Sequence, residues 1–252
     1  MREFTTKTKL RLTIGTEQEK SNRARSRLRF DRNGWTVLAG CIALLSILPV
    51  RAAEPATVTF SLDFPGSDPD HYSISLASDG RARYECSAKI SPDSEDHETY
   101  QTEFSFSDAT RARIFELAAR AHYFSGEIDS GKRKLANTGV KKLSFKDGQR
   151  EFTAAYNFSL LPAVQQLTTL FQSTSATLEF GRRLAHSHRY QKLALDDELK
   201  RMEDQARQGD LVELQAVKPV LQEIYDDTSV MNVVRARAQR IMEMGPAPSA
   251  GR

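Results

Sequence analysis

Val58, Phe60, Leu62 and Phe64 alternate with Thr, Ser and Asp. A strand of period two has one apolar and one wet face, so it must pair into a sheet whose apolar side is covered by another layer. Tyr72, Ile74 and Leu76 repeat the pattern, Ser78-Asp79-Gly80 supplies a turn, and Ala82, Tyr84 and Cys86 resume it, which reads as a hairpin. Residues 90–98, with Ser91-Pro92-Asp93-Ser94-Glu95-Asp96, are polar and turn-rich and read as a mobile loop. A short strand is expected at residues 102–106.

Ser107 then reads as an N-cap, with Asp108 placed where a carboxylate meets the positive end of the helix dipole. Ile114, Leu117, Ala118 and Ala121 recur at helical spacing, and Tyr123-Phe124-Ser125-Gly126 ends the helix. Gly131, Lys132, Lys134 and Gly139 mark a basic loop. Val140, Leu143 and Phe145 lead through Asp147-Gly148 into Phe152, Ala154 and Tyr156, a second hairpin. Leu160-Leu161-Pro162 opens another helix, with Val164, Leu167, Leu170 and Phe171 on one face, and Ser173-Thr174-Ser175 reads as a domain joint. The implied fold class is α+β: a largely antiparallel sheet with two packed helices over residues 53–173.

From Ala176 the pattern is helical throughout. Residues 178–207 contain no proline and, past Gly181, no glycine, so one long helix or two abutting ones are expected. Gly209-Asp210 punctuates it; Leu211, Leu214, Val217, Leu221 and Ile224 form the next amphipathic stretch, with a kink or break near Lys218 because of Pro219. Thr228 or Ser229 is the expected cap of a last helix carrying Val230, Val233, Val234 and Ile241. Residues 174–244 thus read as an all-helical hairpin or small bundle, and 245–252 as a disordered tail. The order of hairpin, capped helix, Tyr123-Phe124 end and second Asp-Gly hairpin resembles an uncharacterised family of exported bacterial α+β domains over roughly residues 57–172. The resemblance implies the fold and brings no activity, cofactor or site residue with it.

The chain's start gives an address. Five arginines between residues 23 and 32 run into a 17-residue apolar segment, 34–50, followed by Arg51-Ala52-Ala53. A basic region, an apolar region and a small-residue cleavage site are the parts of an export signal. Val50 and Ala52 suit cleavage after Ala52; retention of the segment as a membrane anchor is the alternative, and the basic flank keeps the rest of the chain outside in both. Leu38-Ala39-Gly40-Cys41 matches a lipobox, but the apolar run continues past Cys41, so the plainer reading is a cysteine inside the signal. The localisation expected is periplasmic or extracellular, with membrane contact only through an uncleaved N-terminal segment.

Composition matters once this leader is set aside. Residues 1–52 carry 11 of the 36 Lys+Arg and 4 of the 33 Asp+Glu, leaving 25 basic and 29 acidic residues, net −4. The basic balance therefore belongs to the leader, and nothing in the folded part points to nucleic acid. Cys86 is the single cysteine left, so no intramolecular disulfide is available, and its strand spacing reads as a small buried side chain.

Chemistry-bearing motifs are sparse. His186 and His188 are two apart, on different helix faces, where a shared metal wants three or four. The basic run 182–189 reads as a solvated helix face, with a phosphate or lipid-headgroup patch as its alternative. Asp63, Asp68 and Asp70 flank Pro65-Gly66 without the spacing of a calcium loop, and Asp196-Asp197-Glu198 with Lys200-Arg201 reads as surface ion pairing. Asn157-Phe158-Ser159 has the form of a glycosylation acceptor at a strand end. No catalytic, cofactor-binding or metal-ligating residue is assigned. Two functions follow: a non-enzymatic binding or protein-interaction module of the bacterial envelope, recognising a protein or envelope component, or an envelope hydrolase with a site assembled from loops 90–98 and 126–139. Self-association through the C-terminal helices is a further expectation.

Overall fold

A computed structural model describes residues 54–89, 97–132 and 134–244. The leader with its cleavage position and Cys41, residues 90–96 of the expected loop, and the 245–252 tail lie outside the described residues. All elements below belong to one compact unit, Ala52–Arg252.

The fold is α+β. Six strands, β1 (Thr57–Asp63), β2 (His71–Ala77), β3 (Arg81–Lys89), β4 (His97–Ser105), β5 (Val140–Lys146) and β6 (Glu151–Tyr156), form one sheet in the order β4-β3-β2-β1-β5-β6. Every neighbouring pair is antiparallel. The register places Val58, Phe60 and Leu62 across from Leu76, Ile74 and Tyr72 on one side and from Phe145, Leu143 and Lys141 on the other. This inner face is buried, as the period-two pattern requires. On the outer face the central strands carry Thr59, Ser61, Ser73 and Ser75, with the Thr59 and Ser75 hydroxyls 3.0 Å apart.

Two helices cover the inner face. Helix α1 (Asp108–Arg120) buries Ile114, Leu117 and Ala118, and the Ser107 hydroxyl accepts from the Thr110 N–H, the cap the sequence implies. After α1 the chain turns left-handed through three successive residues, His122, Tyr123 and Phe124, with φ of 51°, 55° and 66°. The turn seats Phe124 in the core and lays Tyr123 on Phe145, ring centroids 4.5 Å apart. Helix α2 (Pro162–Tyr190) opens on the proline, as read, and stacks Phe171 on Phe60 at 5.4 Å with rings 2° from parallel.

Helix α2 then runs 29 residues, straight through the Ser173-Thr174-Ser175 joint expected from the sequence. Of the hydroxyls that suggested a break, Thr174 Oγ1 donates to the Leu170 carbonyl within the helix and Ser175 Oγ meets the Tyr84 hydroxyl of β3 at 3.3 Å. The long helix therefore joins sheet and helical region, and one apolar core runs from Phe60 through Phe171 and Leu184 to Leu199 and Ile241. Gly181 lets the 214–217 turn cross α2, since a Cβ there would lie 2.6 Å from Val217 Cγ1. Beyond α2 follow α3 (Leu195–Gln208), α4 (Lys218–Asp226) and α5 (Asn232–Glu243). The break expected near Lys218 is found there, with Pro219 in the first turn of α4. Neither Thr228 nor Ser229 caps α5, which starts after Met231; Asp227 instead holds Ser229 through its N–H at 2.9 Å and its hydroxyl at 2.7 Å.

Candidate binding site at the free sheet edge

Strand β4 is nine residues long and starts at His97, inside the span read as loop, and well before the residue 102 expected. It is an edge strand in unbroken register with β3, from Lys89 opposite His97 to Arg81 opposite Ser105. The Phe106 N–H donates to the Gly80 carbonyl at 3.1 Å. Antiparallel pairing alternates, so Glu98, Tyr100, Thr102 and Phe104 exchange backbone hydrogen bonds with β3, while His97, Thr99, Gln101, Glu103 and Ser105 turn theirs away from it. Among the described residues no strand pairs with that outer side. Edge strands are ordinarily blunted by charged side chains, lysine above all, by proline or by a bulge; β4 has no lysine, proline or bulge, and its charged residues are Glu98 and Glu103.

Beneath the inner side of β4 lies an open cavity of about 940 Å³, lined by Glu98 and Tyr100 of β4, Arg182, His186, Arg189 and Tyr190 of α2, and Glu223 and Asp227 of the α4 end. A second cavity of about 520 Å³ shares Arg182 and His186 with it and reaches Asp68, Lys89, Glu198 and Arg201. The 182–189 run, read as a solvated face, thus forms the ridge between two cavities.

Its foundation is a buried charge. Glu179, 4% exposed, accepts from the Tyr84 hydroxyl at 2.7 Å, the Cys86 thiol at 3.2 Å and Arg182 Nε at 2.9 Å. The local geometry follows from two periods: Tyr84 and Cys86 are two apart on the inner face of β3, and Ser175, Glu179 and Arg182 lie at helical spacing on one side of α2. Burial and then the Glu179 charge push the Tyr84 phenol far above its ordinary range. The same two causes push the Cys86 thiol up to about 12. Cys86 is thus a protonated hydrogen-bond donor, in line with a structural role.

Most charges around the cavities are similarly committed. Glu198, expected as a surface ion-pairing residue, is buried and takes Arg183 Nε at 2.5 Å as well as Arg201. Asp227 accepts from Lys192 at 2.6 Å and faces His188 Nε2 at 2.9 Å; Lys192 first, then Ser229 and His188, hold its carboxyl well below the usual carboxylate range. His186 packs on Tyr190 with ring centroids 5.0 Å apart, and the Arg189 guanidinium stands 5.9 Å from the centre of the same ring, which is 67% exposed. Glu98, Glu103 and Glu223 form no ion pair among the described residues.

No family model matches the chain, and no curated protein matches it in sequence. His186 and His188 diverge, one to Tyr190 and the other to Asp227. Asp63, Asp68 and Asp70 face three separate partners, His71 at 2.6 Å, the Lys89 N–H at 3.3 Å and His97 at 3.6 Å. No group of metal-binding side chains occurs among the described residues. Loop 126–139 is pinned at the other flank of the sheet, where Asp129 accepts from the Asn157 N–H at 3.0 Å, so Asn157 acts as a loop tie. Nearby, the buried Lys141 gives its ammonium to the Thr138 carbonyl, the Thr138 hydroxyl and the Asn157 carbonyl, at 3.2, 2.8 and 3.0 Å. Strands β2 and β1 separate this flank from Lys89 and His97. Sequence reasoning missed the full length of β4 and the role of Glu179; a glutamate set between Leu178 and Phe180, with Ser175 and Arg182 at helical spacing, was the signal available.

Proposed function

We propose that this chain is an exported, non-enzymatic binding module that engages a protein partner of the bacterial envelope along β4. The observation that carries the reading is a nine-residue edge strand without lysine, proline or bulge, with a cavity of about 940 Å³ under its inner side at Glu98 and Tyr100. Strand addition draws affinity from main-chain hydrogen bonds and specificity from pockets that take alternate side chains; the unpaired outer side of β4 supports the first part and the cavity at Glu98 and Tyr100 the second. The export address comes from the basic and apolar leader. An enzyme is the weaker reading, because Cys86 and Lys141, two buried groups of nucleophile type, are both committed to hydrogen bonds inside the protein.

The test is site-specific photo-crosslinking in cells exporting the full chain. A photoreactive residue at Gln101, on the free edge, should give a discrete adduct, and one at Ser61, central on the outer face, should not. Equal adducts at both positions, or none at Gln101, would refute the reading. Intact mass of the soluble product, starting at Ala53, checks the address; a product retaining residues 34–50 in the membrane fraction would replace it with an anchored one.

A further inference from the structure

We infer that the occupant of β4 is an extended peptide segment of a partner protein carrying two basic side chains five residues apart. This rests on the binding-module reading and names the partner's chemistry. The nine residues of β4 include Glu98 and Glu103 and neither lysine nor arginine. Neither glutamate has an ion-pair partner among the described residues, and Glu223 in the adjoining cavity has none either. The cavity's own cations are largely spent, Arg182 on Glu179 and Lys192 on Asp227, which leaves Arg189 over Tyr190. The charged residues of β4 itself are therefore acidic; on β3, Arg83 stands directly across from Glu103 and gives its guanidinium to the Gln101 side chain.

Register converts this into a spacing. On an added strand, the residues directly opposite Glu98 and Glu103 are five apart whether pairing is parallel or antiparallel, so one side chain faces inward and the other outward. The inward one meets Glu98 at the mouth of the cavity, where a long basic side chain has room to lie along Tyr100 and Tyr190 and to reach Glu223. The outward one meets Glu103. Opposite charges directly across strands attract, and like charges repel, so the pair sets register as well as sign. A second copy of the chain paired along the full length of β4, centred on Gln101, sets a phenylalanine opposite Glu98 and satisfies neither carboxylate.

The probes are fluorescent peptides of nine residues, alternating Val and Thr, with Lys at positions 2 and 7, with Glu at the same positions, and with Lys at 2 and 5. A fourth carries Lys at 2 and 7 and N-methyl groups along the edge that would face β4. Fluorescence anisotropy with the full chain should give binding by the first peptide, weaker by about fivefold to tenfold for the Glu and respaced peptides. N-methylation should abolish it, since it removes the ladder hydrogen bonds. Glu98→Gln and Glu103→Gln, both exposed positions, should each reduce the preference for Lys over Glu, and the double variant should erase it. Binding that survives N-methylation, or equal affinity for all charge patterns, overturns the inference. So does self-association in sedimentation that Gln101→Pro removes, which would make a second copy the occupant. If no peptide binds while Gln101 still gives its adduct in cells, the basic-peptide inference falls and the binding-module reading stands; loss of both removes the two together.

Discussion

Replacing Glu179 by Gln isolates the buried network under the candidate site. Oε1 of Glu179 receives Tyr84 and Cys86, and Oε2 receives Arg182. A glutamine keeping its oxygen on Tyr84 and Cys86 sets an amide N–H₂ against the Arg182 donor; flipped, it sets that donor against the tyrosine and the thiol. Either way one donor is orphaned and the Arg182 guanidinium, with its side chain 10% exposed, loses its counter-charge. Breaking a buried pair from one side costs about 3–5 kcal/mol, and the remaining access to water argues for the lower end, about 3 kcal/mol. For a unit of about 200 residues this corresponds to a fall in melting temperature of roughly 6–12 °C. Urea unfolding followed by far-UV circular dichroism measures it. Glu179→Gln/Arg182→Met removes both charges, and should recover more than half of the loss. A single variant within about 0.5 kcal/mol of the wild type, or a double variant less stable than the single, would refute the network as described.

Gly181→Ala forces the 214–217 turn off α2 against the 2.6 Å approach of Val217, and should cost about 1–3 kcal/mol in urea unfolding, with Gly181→Ala/Val217→Ala recovering most of it. His122→Gly relieves one left-handed residue at an exposed position and should raise stability by up to about 1 kcal/mol, measured the same way. Raising the pH should destabilise the fold: burial holds the Cys86 thiol at about 12, above the ordinary 9.0, and raises Tyr72 and Tyr84 as well, so their stabilisation is full below pH 9 and lost as pH climbs toward 12. A flat stability profile between pH 8 and 11, or rapid labelling of native Cys86 by a thiol reagent at pH 8, would count against this. Asp227 works in the opposite direction, its lowered pKa giving stability above the ordinary 3.8 that fades as pH falls; Asp227→Asn should shallow the acid limb of the profile.

The hairpins were legible because each strand alternates and each turn carries its own chemistry, Asp79-Gly80 in one and Asp147-Gly148 in the other. The Ser107 cap and the break before Pro219 were legible for the same local reason. The domain joint was misplaced because Ser173, Thr174 and Ser175 look like a linker in one dimension. In the fold, Ser175 is buried with its hydroxyl 3.3 Å from that of Tyr84, 91 residues away. The cap of α5 failed similarly, since Asp227 competes for Ser229 while it also gathers Lys192 and His188. Loop readings weigh a residue's neighbours in sequence, and these residues are decided by neighbours in space.

Strand β4 is the sharper case. A buried strand announces itself by apolar alternation, and β4 does not: its inward residues are Glu98, Tyr100, Thr102 and Phe104, of which none is fully buried. Their weak alternation has a physical origin, because an edge strand over an open cavity has half its inner surface in contact with water and is under no demand to be apolar. The property that hid the strand from its sequence is thus the one that leaves it open to a partner. A covering element would have imposed apolar residues at 98 and 102, and their absence fits the proposed pairing through backbone and charge. Glu98→Val should accordingly leave stability within about 0.5 kcal/mol, while reducing the Lys preference of the peptides as Glu98→Gln does; a large gain in stability would instead mean that position 98 belongs to the core.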